Sequence, residues 1–303
     1  SCRKSTRKQY DLAWKNFIFW CDKRNRSANE ITEKELMSYL FSIFKNGKSY
    51  STINTHKVAV TQTLALNDDK WSKNSISLTK FMKGLFNLRP SLPKYKLTWD
   101  VSKVLTFLKS LFPLESLDIK FLTLKLCTLL ALTTAARAQT LVCMNIKNMC
   151  LNSDSVVFYF TSLLKTSRPG RSYSISLQKY SDKKLCVVST LHEYLKRTKK
   201  RRKCDQLLVS YKTFNKVSTS TVARWIKDVM GSAGIDITYF KAHSIRSAAS
   251  SSALRSGASL TDILKTGDWS SSKNFKKFYC RDTCNVTASN NNTKTFMNAV
   301  LQM

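Results

Sequence analysis

The run FLTLKLCTLLALTTAA (121–136) constrains the fold more than any other stretch, because it is apolar on nearly every side of a helix. Such a helix has to be covered by other elements all round. Lys125 and four threonines interrupt it, and it falls short of the about 18 unbroken apolar residues that a membrane span needs. It therefore reads as the buried centre of a helical domain. A chain of 303 residues exceeds the usual single-domain size, and 43% hydrophobic content is enough for more than one core.

The boundary between two domains is expected in LRPSLPKYKLTWD (88–100), which holds two of the four prolines. Proline lacks an amide donor and restricts its predecessor, so the segment reads as extended. The expected organisation is a helical domain over 1–90, a linker over 91–98, a larger domain over 99–286, and a tether with a terminal helix over 287–303. In the first part, Tyr10, Trp14, Phe17 and Cys21 fall on one helical stripe. In TEKELMSYLFSIFKNG, Thr32 and Glu35 have the spacing of a capping box, and Gly47 is placed to end the helix. A third helix is expected from near Ser51 with Ile53, Val60 and Leu64 inward, and a fourth over about 75–86.

The second part reads as mainly helical with a little strand. SVVFYFTSLLK and RSYSISL flank TSRPG, a hairpin pattern with its turn near Pro169–Gly170, and LLVSY (207–211) suggests another short strand. In TASNNNTKTFMNAVLQM a polar tether precedes a short amphipathic helix with Phe296, Met297, Val300 and Leu301 apolar, the pattern of a docking element.

Lys and Arg number 51 against 19 Asp and Glu, a formal charge of +32 that calls for a polyanionic partner. DNA, RNA and an anionic membrane surface all qualify on charge. KRTKKRRK (196–203) reads first as a solvated loop, with a phosphate contact or a nuclear import signal as the alternatives. Nine irregularly spaced cysteines fit reduced thiols in cytosol or nucleus. With three histidines (His56, His192, His243), no metal site is expected. No signal peptide is visible, although a chain opening at Ser1 reads as a fragment.

Six residues are ordinary one at a time. His243 and Arg246 in AHSIRSAAS share a helical face, and such pairs are usually structural. Arg137 in TTAARAQTL could cap the apolar helix, Lys165 could be a surface lysine of the hairpin, and Trp269 in GDW could pack in a core. Tyr279 stands in NFKKFYCRDT among Lys273, Lys276, Lys277 and Arg281. Together they could converge on one phosphodiester. Guanidinium forks suit the charge on its nonbridging oxygens, a tyrosine can attack its phosphorus, and a lysine or histidine can protonate the departing hydroxyl.

The order Arg … Lys … His-x-x-Arg … Trp … Tyr resembles the tyrosine recombinase (phage integrase) family, carried by AAR, HSIR, GDW and KFY over nearly the whole chain. FMKGLFNLRPSLPKYKLTWD and AHSIRSAASSSAL look most like recombinases of DIRS-like and Ngaro-like retrotransposons or Crypton-type transposons. The resemblance implies a mainly α fold with a small β-sheet. It implies an N-terminal SAM-like core-binding domain and a mixed α/β catalytic domain that clamp DNA in a C shape. Arg137 and Arg246 would hold the scissile phosphate with His243, Lys165 would protonate the leaving 5′-hydroxyl, and Trp269 would hydrogen bond or buttress. Tyr279 would form the 3′-phosphotyrosine. No cofactor, metal or ATP is implied. The implied partners are double-stranded DNA, a Holliday junction and three further copies, tied by exchange of the terminal helix, in the nucleus. Two departures stand out. Thr140 replaces a glutamate common in relatives, and ten residues separate Trp269 from Tyr279 where close relatives often have nine.

Candidate DNA contacts are Arg3, Lys4, Arg7, Lys8, Ser51, Thr52, Asn54, His56 and Lys57 in the first domain, with Arg168 and Arg171 at the hairpin turn. Competing readings are a type IB topoisomerase and a domesticated, inactive DNA-binding protein. A metal-dependent nuclease lacks a carboxylate constellation, and RNA binding lacks a recognisable motif.

Overall fold

A computed structural model describes residues 4–71, 75–162, 164, 167 and 173–283. The chain divides into two compact units, Ser1–Lys94 and Tyr95–Met303.

Among its described residues the first unit has four α-helices, α1 (Lys4–Asp22), α2 (Glu33–Lys45), α3 (Tyr50–Leu64) and α4 (Ile76–Leu88), with a short 3-10 turn at Asp69–Trp71. Phe17 and Cys21 of α1 are buried, and Ala13 joins them; Tyr10 and Trp14 are only half-buried. Leu36, Leu40, Ile53, Val60, Leu64 and Leu85 fill the rest of this core. The box at α2 forms as its spacing predicts. The Glu35 amide donates to the Thr32 hydroxyl, and the Thr32 amide donates back to the Glu35 carboxylate at 2.7 Å. Gly47 adopts φ 76, the left-handed turn that lets the chain leave α2.

In the second unit, α6 (Ile119–Thr134) is the central helix. Leu122, Leu126, Leu129 and Leu130 are buried, as are Thr123, Thr128 and Thr134. Packed on it are α7 (Ala138–Cys143), α8 (Val187–Thr198), α9 (Thr219–Ser232) and α10 (Ser244–Arg255). Thr123 and Thr134 donate their hydroxyls to carbonyls one turn back, which is how a helix with threonines can be covered on every side. Helix α5 (Val101–Ser110) precedes it, and α11 (Leu260–Thr266) and α12 (Ser272–Phe278) follow α10.

Strands are few among the described residues. β1 (Leu97–Thr98) pairs in parallel with β5 (Asp282–Thr283), so Leu97 and Thr98 belong to the second unit's structure rather than to a free linker. β2 (Met149–Leu151), β3 (Ser155–Tyr159) and β4 (Ser174–Gln178) form an antiparallel sheet in that order, with Val157 opposite Ser176. Val156 and Phe158 point into the core and Tyr159 points out. The turn near Pro169–Gly170 and the terminal segment 287–303 lie outside the described residues. LLVSY does not form a strand. Its neighbourhood makes only isolated bridges, Asn145 to Gln206 and Val209 to Lys216, because Leu207, Leu208 and Val209 are buried as a crossing segment. No helix among the described residues is long and apolar enough to cross a membrane.

Candidate active site

The site is assembled where three chain segments meet. The first is the end of α6. Ala135 takes φ 45, a left-handed conformation that costs an alanine about 1 kcal/mol or more. The reversal is held by the Thr134 hydroxyl, which accepts from the Ala136 amide. It places Arg137, half-buried, as the residue that opens α7. Arg137 therefore begins a helix rather than ending one.

The second segment is α10. His243 opens this helix and is exposed; Arg246 lies one turn on and is 1% exposed. The helix start is pinned from β1's side of the unit, because the Trp99 indole donates to the Ser244 hydroxyl at 2.8 Å. Arg246 donates through Nη2 to the Gly267 carbonyl at 3.0 Å, and its guanidinium lies 4.5 Å from the Trp269 ring centre. Its Nε is buried without a hydrogen-bond partner among the described residues. Burial, and then the nearby charge of Arg137, push its pKa down to about 10.

The third segment runs from α11 to β5. Gly267, Asp268 and Trp269 turn the chain, with Asp268 at φ 52. A Cβ on Gly267 would lie 1.7 Å from Trp269 Cζ3, so only glycine lets the indole lie against the backbone. Trp269 is 9% exposed, packs edge-on against Phe275 and Tyr279, and leaves its Nε1 without a partner among the described residues. Phe275, fully buried, anchors α12. Tyr279 follows directly, half-buried, with its hydroxyl 3.2 Å from His243 Nε2.

Thus Arg137, His243, Arg246, Trp269 and Tyr279 come together. Lys165, Arg168 and Arg171 lie outside the described residues, as do Arg3 and the side chain of Lys4. Thr140 is buried beside Arg137 in α7, with no carboxylate of its own to offer. Asp268, buried next to Trp269, is the acid whose charge favours protonated Arg246, and sequence reasoning passed over it. Of the basic neighbours of Tyr279, Lys273, Lys276 and Lys277 are exposed. Arg281 instead spends its guanidinium on the carbonyls of Tyr95, Lys276, Lys277 and Cys280.

In the first unit, Arg7, Lys8, Ser51 and Asn54 are exposed. Asn54 and Lys57 border a groove of about 360 Å³ with Lys83 and Phe86. His56 is turned inward, with Nδ1 2.7 Å from the Tyr39 hydroxyl, and Thr52 is tied to the helix-capping Ser49. These two are held by their own unit.

With this geometry in hand, the comparisons with known proteins are specific. The family model "Phage integrase family" matches residues 100–285, well over half of the chain, and the chain belongs to that family. No curated protein matches it in sequence. The fold is similar to the XerH site-specific recombinase in a post-cleavage complex with a palindromic difH substrate. That likeness has 17% identity, covers 87% of this chain and 73% of that one, and has a TM-score of 0.64. It is similar to a lambda integrase tetramer bound to a Holliday junction (15%; 93% and 73%; 0.57) and to the Tn1549 transposon integrase in complex with transposon right end DNA (11%; 96% and 93%; 0.60). At these identities the likeness concerns the fold.

Proposed function

We propose that this phage integrase family member is the site-specific recombinase of a mobile element, of the DIRS-like, Ngaro-like or Crypton-type lineages. It cuts and rejoins DNA through a 3′-phosphotyrosine on Tyr279. The observation that carries this reading is the Tyr279 hydroxyl within hydrogen-bond reach of His243, in front of a buried arginine that has no ion-pairing carboxylate among the described residues.

The residues divide the work. Arg137 and Arg246 hold the scissile phosphate's nonbridging oxygens and offset the charge that builds there. The free Nε1 of Trp269 donates to the same phosphate from beneath the tyrosine ring. His243 takes the Tyr279 proton as Oη attacks phosphorus. The P–O5′ bond breaks, and Lys165 protonates the leaving 5′-hydroxyl. A 5′-hydroxyl from a partner strand then attacks the phosphotyrosine, restoring a phosphodiester and free Tyr279. One phosphoester bond is exchanged for another at each step, so no ATP is consumed. Tyr279 meets His243, Arg246 and Trp269 of its own chain. Four copies would act on a synapsed pair of sites, linked through 287–303.

The test is covalent capture. The protein and Tyr279→Phe are expressed in cells carrying candidate element DNA, lysed in SDS, and the protein-bound DNA is sequenced. Adducts with the native protein alone, clustered at a repeated site, are expected. Adducts with the Phe variant would place the nucleophile elsewhere. Salt-sensitive binding without any adduct would mark a descendant that binds and does not cut.

A further inference from the structure

The backbone that carries Tyr279 is gripped by two serines of α10. Ser247 donates its hydroxyl to the Tyr279 carbonyl at 2.7 Å, and Ser251 donates to the same oxygen at 2.8 Å. Both are buried, at 6% and 2% exposure. The Arg281 amide donates to Ser251 Oγ at 2.9 Å. That bond occupies a lone pair of the hydroxyl and commits its single proton to the Tyr279 carbonyl. Arg255 then holds the Arg281 carbonyl at 3.0 Å, and β5 pairs with β1 immediately beyond.

His243, Ser247 and Ser251 are spaced by four residues, so they stack along one face of α10. One helix thus positions the histidine that meets the tyrosine's hydroxyl and the two hydroxyls that meet its carbonyl. Nothing in helix formation asks for serine here. Serine is a middling helix former, and both side chains point away from their own helix to reach a carbonyl 32 and 28 residues on.

We infer that Ser247 and Ser251 form a latch that holds the Tyr279 backbone against α10 and sets the nucleophile's reach. They are positioning residues, acting on the chemistry through Tyr279, and the inference rests on Tyr279 being the nucleophile. The latch also accounts for the ten-residue spacing from Trp269 to Tyr279. The nucleophile's register is fixed from α10 by its carbonyl, so the loop between need not fix it by length.

The experiment compares the native protein with the double variant Ser247→Ala/Ser251→Ala and with Ser251→Thr, which keeps the hydroxyl. Two readouts are taken. The first is hydrogen exchange of the peptide covering 276–283 in the purified proteins. Exchange at least about tenfold faster in the double variant, with peptides of α6 and α9 unchanged, is expected. The second is adduct yield in the SDS capture assay at matched expression and matched DNA occupancy. A fall of about 10- to 100-fold, with recovery in Ser251→Thr, is expected for a displaced nucleophile. Native exchange in the double variant, or a native adduct yield, would overturn the latch. If the native protein itself gives no adduct, the recombinase reading falls and hydrogen exchange alone decides the latch.

Discussion

Among the described residues of the second unit, Lys125 and Arg246 are fully buried cations, and their surroundings differ in kind. Lys125 donates to the carbonyls of Leu108 and Leu111, satisfying the end of α5. Burial lowers its pKa to about 8. The unfolded chain keeps that proton to the ordinary range near 10.5, so between about 8 and 10.5 the unfolded state binds more protons and stability rises with pH. Below 8 the folded state bears the full cost of a buried ammonium. The stability of the native protein minus that of Lys125→Met should therefore climb between pH 8 and 10, by at most about 1.4 kcal/mol per pH unit. A flat difference in urea titrations would refute this. Arg246 has one carbonyl, the rings of Trp269 and Tyr279, the charge of Arg137 and the opposing charge of Asp268 around it, and makes no ion pair with a carboxylate among the described residues. Arg246→Lys should lower adduct formation by about 100-fold or more, because an ammonium cannot replace the fork, while DNA affinity hardly moves. Equal losses in affinity and adduct would show Arg246 to be an ordinary binding contact. The HSIR spacing made the shared face of His243 and Arg246 readable. It could not reveal that one side chain is exposed and the other buried, since that depends on distant Gly267, Trp269 and Tyr279 lying against Arg246.

Elements with local causes were legible and those with distant causes were not. The α2 box needs only residues three apart, and its pattern stands in the sequence; Thr32→Ala should cost the first unit about 1 kcal/mol, seen as a lower urea midpoint. The buried α6 was legible from its all-round apolarity. By contrast, β5 is two residues long and exists because β1, some 185 residues earlier, pairs with it. The sequence did not single out Ser247 and Ser251, because their partner is a backbone carbonyl and any residue type supplies one. LLVSY had strand composition, and its burial comes from the core around it rather than from a ladder. The GDW turn lies between these cases, its glycine visible and its reason hidden. Gly267→Ala forces a Cβ into Trp269, so overpacking should cost about 1–3 kcal/mol. Because the indole also backs Tyr279, adduct yield should fall even where the variant stays folded. A variant with native stability and native adduct yield would mean that Trp269 can move aside without consequence.

At the scale of the whole molecule, a charge of +32 has to be divided between structure and partner. Some cations are already engaged. In KRTKKRRK, Arg197 donates to the Leu117 carbonyl, and Arg202 donates to the carbonyls of Gln206 and Leu207 and to the Thr198 hydroxyl. Arg201 lies over Phe214 at 4.1 Å. Lys196, Lys199, Lys200 and Lys203 remain exposed on the same run. If exposed cations of this kind neutralise phosphates along a duplex, each phosphate adds about −0.9 to the slope of log affinity against log salt. A protein of this charge should engage roughly six to ten of them, losing about 10³- to 10⁵-fold in affinity between 50 and 200 mM salt. Fluorescence anisotropy with a labelled duplex measures the slope directly. Substituting Lys199, Lys200 and Lys203 by serine should make the slope shallower by about one for each that touches a phosphate. Arg202→Ala should leave the slope alone and lower the unfolding midpoint instead. A slope shallower than about −3 for the native protein would mean that its basic surface does not lie along DNA, and the duplex would cease to be the partner that this charge requires.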